Sequence, residues 1–156
     1  MKPYADTNFL TRLYLDLPEI AAVDALGAEP RTAGVSLPIT WLHRVELCNA
    51  LQLYVFRSAA LHRRVTVEQA AIAWASFKEE MRRPSRLFAA LVPVVELENQ
   101  AEELSLRHTR HRGFRTYDLL HVASALLLEC DTFWSFDIKA LQLAKLEGFK
   151  TEEISS

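Results

Sequence analysis

The chain has 156 residues, half of them hydrophobic, which is enough to bury the core of one ordinary domain and too apolar for a disordered chain. A formal net charge of −2 and a pI near 6.2 do not mark a polycation built to coat nucleic acid or a membrane, although local patches matter more than the total. Two cysteines are too few for a disulfide scaffold, and no apolar stretch approaches the roughly 20 residues of a spanning helix.

Only 4 Gly and 6 Pro leave little room for linkers, so one domain over residues 1–156 is expected. The N-terminus lacks a basic segment followed by an apolar run, so no signal peptide and a cytoplasmic location are expected. Cys48 and Cys130, both flanked by apolar residues, are expected to be buried free thiols.

In chain order, Tyr4-Ala5 predicts a very short strand that ends at Asp6 and runs into a helix carrying Leu10, Leu13, Tyr14 and Leu17. Pro18 stops it, and residues 20–26 predict a second short helix. Residues 34–39 alternate as a strand. Thr40 then offers a cap to a long helix, 41–61, with Leu42, Val45, Glu46, Asn49, Leu53 and Phe56 as its inward stripe. Thr66 caps a helix over 67–81 with Ala70, Ala73, Trp74 and Phe77 facing in. A third strand is placed at 91–94, then a helix over 98–111 broken at Gly113. Thr116 caps the helix 117–129, 132–136 is an aromatic strand, 140–146 is helical, and 150–154 supplies an edge strand. This alternation predicts an α/β fold with a parallel sheet covered on both faces.

Four acids stand out against this frame. Asp6 and Asp137 end apolar strands, where parallel α/β sheets open their ligand crevice. Asp118 lies in the first turn of its helix, and Glu46 sits on an apolar stripe. Inward acids repel one another unless a counter-ion is present, and a hard divalent ion such as Mg²⁺ is suited to oxygen ligands and phosphate substrates. Each acid also has a plainer explanation. Asp6 and Asp137 can be helix caps, and Asp118 can serve only the helix dipole.

Four segments together resemble PIN-domain ribonucleases, most of all the VapC toxins of bacterial and archaeal toxin–antitoxin pairs. They are Tyr-Ala-Asp-Thr-Asn-Phe-Leu at 4–10, Arg-Val-Glu-Leu at 44–47, Arg-Thr-Tyr-Asp-Leu-Leu-His-Val-Ala-Ser-Ala at 115–125 and Phe-Trp-Ser-Phe-Asp at 133–137. The resemblance implies a three-layer α/β/α sandwich around a short parallel sheet. It implies metal ligands at Asp6, Glu46, Asp118 and Asp137, with Ser135, Thr7 and Asn8 supporting them from behind. The implied activity is endonucleolytic RNA cleavage with Mg²⁺ or Mn²⁺, by in-line attack of water that leaves a 5′-phosphate and a 3′-hydroxyl. The implied partners are a second copy of the chain and a small antitoxin.

Other residues carry weaker signals. The basic run Arg107, His108, Arg110, His111, Arg112 and Arg115 could hold RNA phosphates or be a solvated helix end, and Arg115 is the best single candidate for substrate. His121, three residues after Asp118, is assigned to packing or to support of a ligand, and His43 and His62 show no partner. Trp41, Tyr54, Phe56, Trp74 and Phe77 are assigned to the core, or else to a groove for a partner helix. The competing functions are another acid-site phosphohydrolase and a non-catalytic binding module. A haloacid-dehalogenase phosphatase would need a second Asp where Asn8 stands.

Overall fold

The computed structural model describes residues 1–15, 34–61, 65–83 and 85–151 of the chain, without the side chains of 59–61. Among the described residues, four three-residue strands form two parallel pairs. β1 (Pro3–Ala5) pairs with β4 (Thr132–Trp134), Pro3 opposite Thr132 and Ala5 opposite Trp134. β2 (Leu37–Ile39) pairs with β3 (Leu87–Ala89), Leu37 opposite Leu87. β1 lies against β2, and Lys150 adds one parallel bridge to Thr132 on the far side of β4.

Among the described residues the longer helices that cover these strands are α1 (Thr7–Tyr14), α2 (Trp41–Leu61), α3 (Val67–Arg82), α4 (Val94–Leu104), α5 (Thr116–Leu127) and α6 (Ile138–Leu146). Side chains alternate along a strand, and here the alternation separates two cores. Tyr4 and Phe133 point into one, packed by Leu97 and Leu104 of α4, Val122 and Ala125 of α5, and Leu143 of α6. Ala5 and Trp134 point into the other, with Phe9 of α1, Leu47 and Leu51 of α2, and Ala73 and Phe77 of α3. The result is the three-layer α/β/α sandwich with a short parallel central sheet. Among the described residues, no helix is long and apolar enough to cross a membrane.

Several local expectations need correction. The third strand is Leu87–Ala89, not 91–94. Pro93 is the N-cap of α4, so the β-branched Val94 and Val95 begin a helix, and Leu91 is 94% exposed. The α4 helix passes into a π-helical turn, Ser105–Thr109, and a last turn, Arg110–Arg112, before Gly113 in the left-handed conformation at φ 67°.

The long helix α2 buries Leu42 of its expected stripe but otherwise turns a different face inward. His43, Leu47 and Leu51 are fully buried, while Val45, Asn49 and Leu53 are exposed and Phe56 is 76% exposed. Both stripes are apolar, so periodicity alone could not choose between them. Trp41 also proves half-exposed, and Cys48 is exposed while Cys130 is half-buried, both as free thiols. The 67–81 helix keeps its expected inner stripe of Ala70, Ala73 and Phe77 behind a full capping box between Thr66 and Gln69. The helix expected at 20–26 and most of the edge strand expected at 150–154 lie outside the described residues.

Candidate metal and nuclease site

Asp6 follows β1 directly, and its amide still donates to the Trp134 carbonyl of β4 at 3.0 Å, so the acid sits at the carboxyl edge of the pair. Its Oδ1 accepts from Phe9 N at 2.9 Å and caps α1. Its Oδ2 accepts from Ser135 Oγ at 2.6 Å. Asp137, just beyond β4, caps α6 with Oδ1, accepting from Lys139 N at 2.8 Å. Asp118 in the first turn of α5 accepts from Arg115 N at 3.1 Å. The plainer explanation of these acids is therefore true of each one, and it does not exhaust them. Capping fixes each carboxylate at the end of its element and turns it toward a common space.

That space is a cavity of about 460 Å³. Asp6, Glu46, Asp118 and Asp137 all line it, with Thr7, Asn8, Arg115, Tyr117 and His121. Asp6 and Asp118 are nearly fully buried, at 4% and 5% exposure. Burial pushes the Asp6 carboxyl up to about 6, against the pull of His121 and the hydrogen bonds from Ser135 and Phe9. Partial burial also works against the charge of Asp137, but Arg115 and the Lys139 and Ala140 amides hold its carboxyl below the usual range.

Glu46 reaches the cavity from α2. Its Oε2 accepts from Thr7 Oγ1 at 2.8 Å and from His121 Nε2. His121 Nδ1 in turn lies 2.8 Å from Tyr4 Oη, so a buried Tyr4–His121–Glu46 chain backs this side of the site. Arg115 binds two acids at once. Its Nε and Nη2 meet Asp118 at 3.1 Å each, and Nη2 meets Asp137 Oδ2 at 2.5 Å. Asn8 lies on the wall, but its amide oxygen accepts from Arg12 Nη1 at 2.6 Å rather than from a group on Asp6.

A histidine outside the acid set also helps to build the site's frame. His43, which shows no partner in the sequence, is fully buried. Its Nδ1 accepts from Thr40 N at 3.0 Å, which leaves Nε2 to donate to the Ala5 carbonyl at 2.8 Å. The Thr40–His43 spacing of three residues at a helix start was the available signal. The basic run is partly spent on structure: Arg107 Nη1 and His108 Nε2 both bind Glu147, at 2.9 and 2.5 Å, beside the π-helical turn.

The donor set is what a hard divalent cation requires. The acids offer carboxylate oxygens, no thiol lines the cavity, and Asp118 and Asp137 already converge on one positive charge. As the side chains stand, no three His, Cys, Asp or Glu groups among the described residues converge tightly enough to hold one ion. Arg115 lies between two of the acids, and His121 engages a third.

No protein-family model matches the sequence, and no curated protein matches it. Solved structures do. VapC20 of Mycobacterium tuberculosis, described as a Sarcin-Ricin loop cleaving toxin, superimposes with a TM-score of 0.63 at 19% identity, over 95% of this chain and 96% of that one. VapBC-1 from nontypeable Haemophilus influenzae gives 0.58 at 16% identity, over 99% and 98%. FitAcB from Neisseria gonorrhoeae gives 0.51 at 15% identity, over 97% and 97%. The chain has the PIN-domain fold of the VapC toxins.

Proposed function

We propose that the protein is a divalent-metal-dependent endoribonuclease, the toxin of a toxin–antitoxin pair, acting on RNA with Mg²⁺ or Mn²⁺. The observation that carries this is the meeting of Asp6, Glu46, Asp118 and Asp137, from four separate segments, on the wall of one cavity at the carboxyl edge of β1 and β4. The fold shared with VapC20, described as a Sarcin-Ricin loop cleaving toxin, supports the same reaction class.

In this proposal the four acids would hold the ion. Ser135 fixes the Asp6 carboxylate and Thr7 fixes Glu46, as groups behind ligands do in metal sites generally. When bound, the ion supplies charge neutralisation at a phosphoryl centre and makes water acidic enough to attack near neutral pH. Arg115 on the cavity wall supplies positive charge for the RNA backbone, a contact that positions a strand without reading its sequence. A small antitoxin and a second copy of the chain are the proposed protein partners, and the cytoplasm the proposed location.

A non-catalytic binding module is the second proposal, favoured by one observation. Asp118, Asp137 and Glu46 already have partners inside the protein. The test is cleavage of structured RNA by the purified protein with Mg²⁺, with Mn²⁺ and with chelator, beside growth on induced expression. Metal-dependent cleavage abolished by Asp118→Asn and by Asp6→Asn establishes the nuclease. Intact RNA under all conditions, from a folded protein, establishes the module.

A further inference from the structure

The Arg115 side chain is 64% exposed, yet its guanidinium is held by two carboxylates from different helices. It takes the one Asp137 oxygen that backbone amides leave over, and on Asp118 it takes Oδ1 through Nη2 and shares Oδ2 through Nε. On Asp137, Oδ1 is taken by Lys139 N and Ala140 N, and Arg115 holds Oδ2. On Asp118, Arg115's own amide goes to Oδ2, and Nη2 holds Oδ1. These are the lone pairs a hard cation would also need. Asp118 and Asp137 repel each other when both are ionised, and a planar guanidinium relieves that repulsion in a fixed fork.

Building on the metal-dependent function proposed above, we propose that Arg115 is a resident counter-cation, which a divalent ion must displace to reach Asp118 and Asp137. The displacement is feasible because the Arg115 side chain is 64% exposed and can move into solvent while Asp118 and Asp137 stay in the cavity wall. The start of α5 keeps a bond to Asp118 when the side chain leaves, because the Arg115 backbone N–H also donates to it at 3.1 Å. Once moved aside, the guanidinium stands at the cavity rim next to exposed Tyr117, free to meet a phosphate oxygen.

The experiment is calorimetric titration of the whole chain with Mn²⁺, for the wild type, Arg115→Ala, Arg115→Lys and Asp118→Asn, at low and high salt. Arg115→Ala should bind Mn²⁺ about three- to tenfold more tightly than wild type, consistent with the loss of a modest competing ion pair, with Arg115→Lys between them. High salt should narrow the difference. Without metal, Arg115→Ala should melt below wild type, and saturating Mn²⁺ should close the gap. Equal or weaker Mn²⁺ binding by Arg115→Ala overturns the counter-cation role while leaving the metal site standing. Absence of Mn²⁺ binding in both wild type and Arg115→Ala overturns the metal site and this inference together. Should Arg115→Ala fail to fold, Arg115→Lys decides, because tighter binding is expected of it too and equal or weaker binding overturns the inference.

Discussion

Ser135 ties two acids of the cavity to each other through one hydroxyl. It donates to Asp6 Oδ2 at 2.6 Å and accepts the Asp137 amide at 2.8 Å, so the carboxyl ends of β1 and β4 are coupled at the point where the chemistry is proposed. The hydroxyl is fully buried. Ser135→Ala leaves a buried carboxylate oxygen and a backbone N–H without that partner, at a cost of about 1–3 kcal/mol. Metal affinity and RNA cleavage should fall by about 10- to 100-fold. Urea unfolding and Mn²⁺ titration on the same preparation check both, and a variant equal to wild type in both contradicts the coupling.

Asp6 is a buried charge held at some expense to stability. Asp6→Asn keeps an oxygen for the Phe9 amide and removes the charge, so the metal-free variant should be as stable as wild type or more stable, while RNA cleavage is lost. Thermal melts with and without Mn²⁺ show this. Wild type should gain more from the ion than the variant does. A variant that unfolds at lower temperature without metal would mean that the carboxylate is there for the fold.

His43 makes the fold sensitive to acid. Burial, and the neighbouring His121 ring, push the His43 imidazole down to about 3 from its usual value near 6.5. The unfolded chain takes up a proton between these two values and the folded chain does not. His43 therefore contributes its full stability above about pH 6.5, and the contribution is lost progressively as pH falls toward 3. Each pH unit in that window is worth at most about 1.4 kcal/mol. Urea unfolding at pH 7 and pH 4.5 should show a clear loss for wild type and a shallower one for His43→Gln. Identical slopes would rule out His43 as the source.

How much of this was legible in the sequence differs from element to element. Asp6, Asp118 and Asp137 could be found because each stands where an apolar strand or loop turns into a helix, and that position leaves a pattern. Glu46 was found for a reason the structure revises. Its stripe on α2 reaches the core only at Leu42, its members Val45, Glu46, Asn49 and Leu53 line the cavity, and the core side is otherwise His43, Leu47 and Leu51. A helix apolar on both sides gives no sign of which face is covered. The strand Leu87–Ala89 was hidden by the more β-branched run after it, because three residues that pair only with Leu37–Ile39 leave no periodicity to count. The partners of His121 lie across the fold, 75 and 117 residues away, beyond the reach of local pattern, and so does the second acid on Arg115, 22 residues on.

Glu80 clamps three elements on the side away from the site. Tyr14 of α1 donates to it at 2.5 Å, and Arg86, just before β3, meets it through Nε at 2.8 Å and Nη2 at 3.1 Å. Burial alone would raise its carboxyl, but Arg86 and Tyr14 bring it below its usual value. Glu80→Gln should cost about 1–3 kcal/mol in unfolding free energy at neutral pH, with cleavage unchanged. Lost cleavage at unchanged stability would contradict a purely structural role.

The two thiols should differ in reactivity. Cys48 is exposed, while half-buried Cys130 has its thiol pushed up to about 11, chiefly by burial. Since thiolate is the reacting form, iodoacetamide at pH 8 should modify Cys48 first in the native protein and both at equal rates in urea. Equal native rates would contradict the described packing of Cys130.

The central claim is that the four acids hold a divalent ion. Its most direct test is anomalous diffraction from crystals of the protein soaked in Mn²⁺. The account predicts an anomalous peak within coordination distance of carboxylate oxygens of Asp6, Glu46, Asp118 and Asp137, with the Arg115 side chain moved off the two acids it now bridges. A well-ordered cavity with no peak at saturating Mn²⁺, or a peak bound elsewhere on the chain, would contradict it.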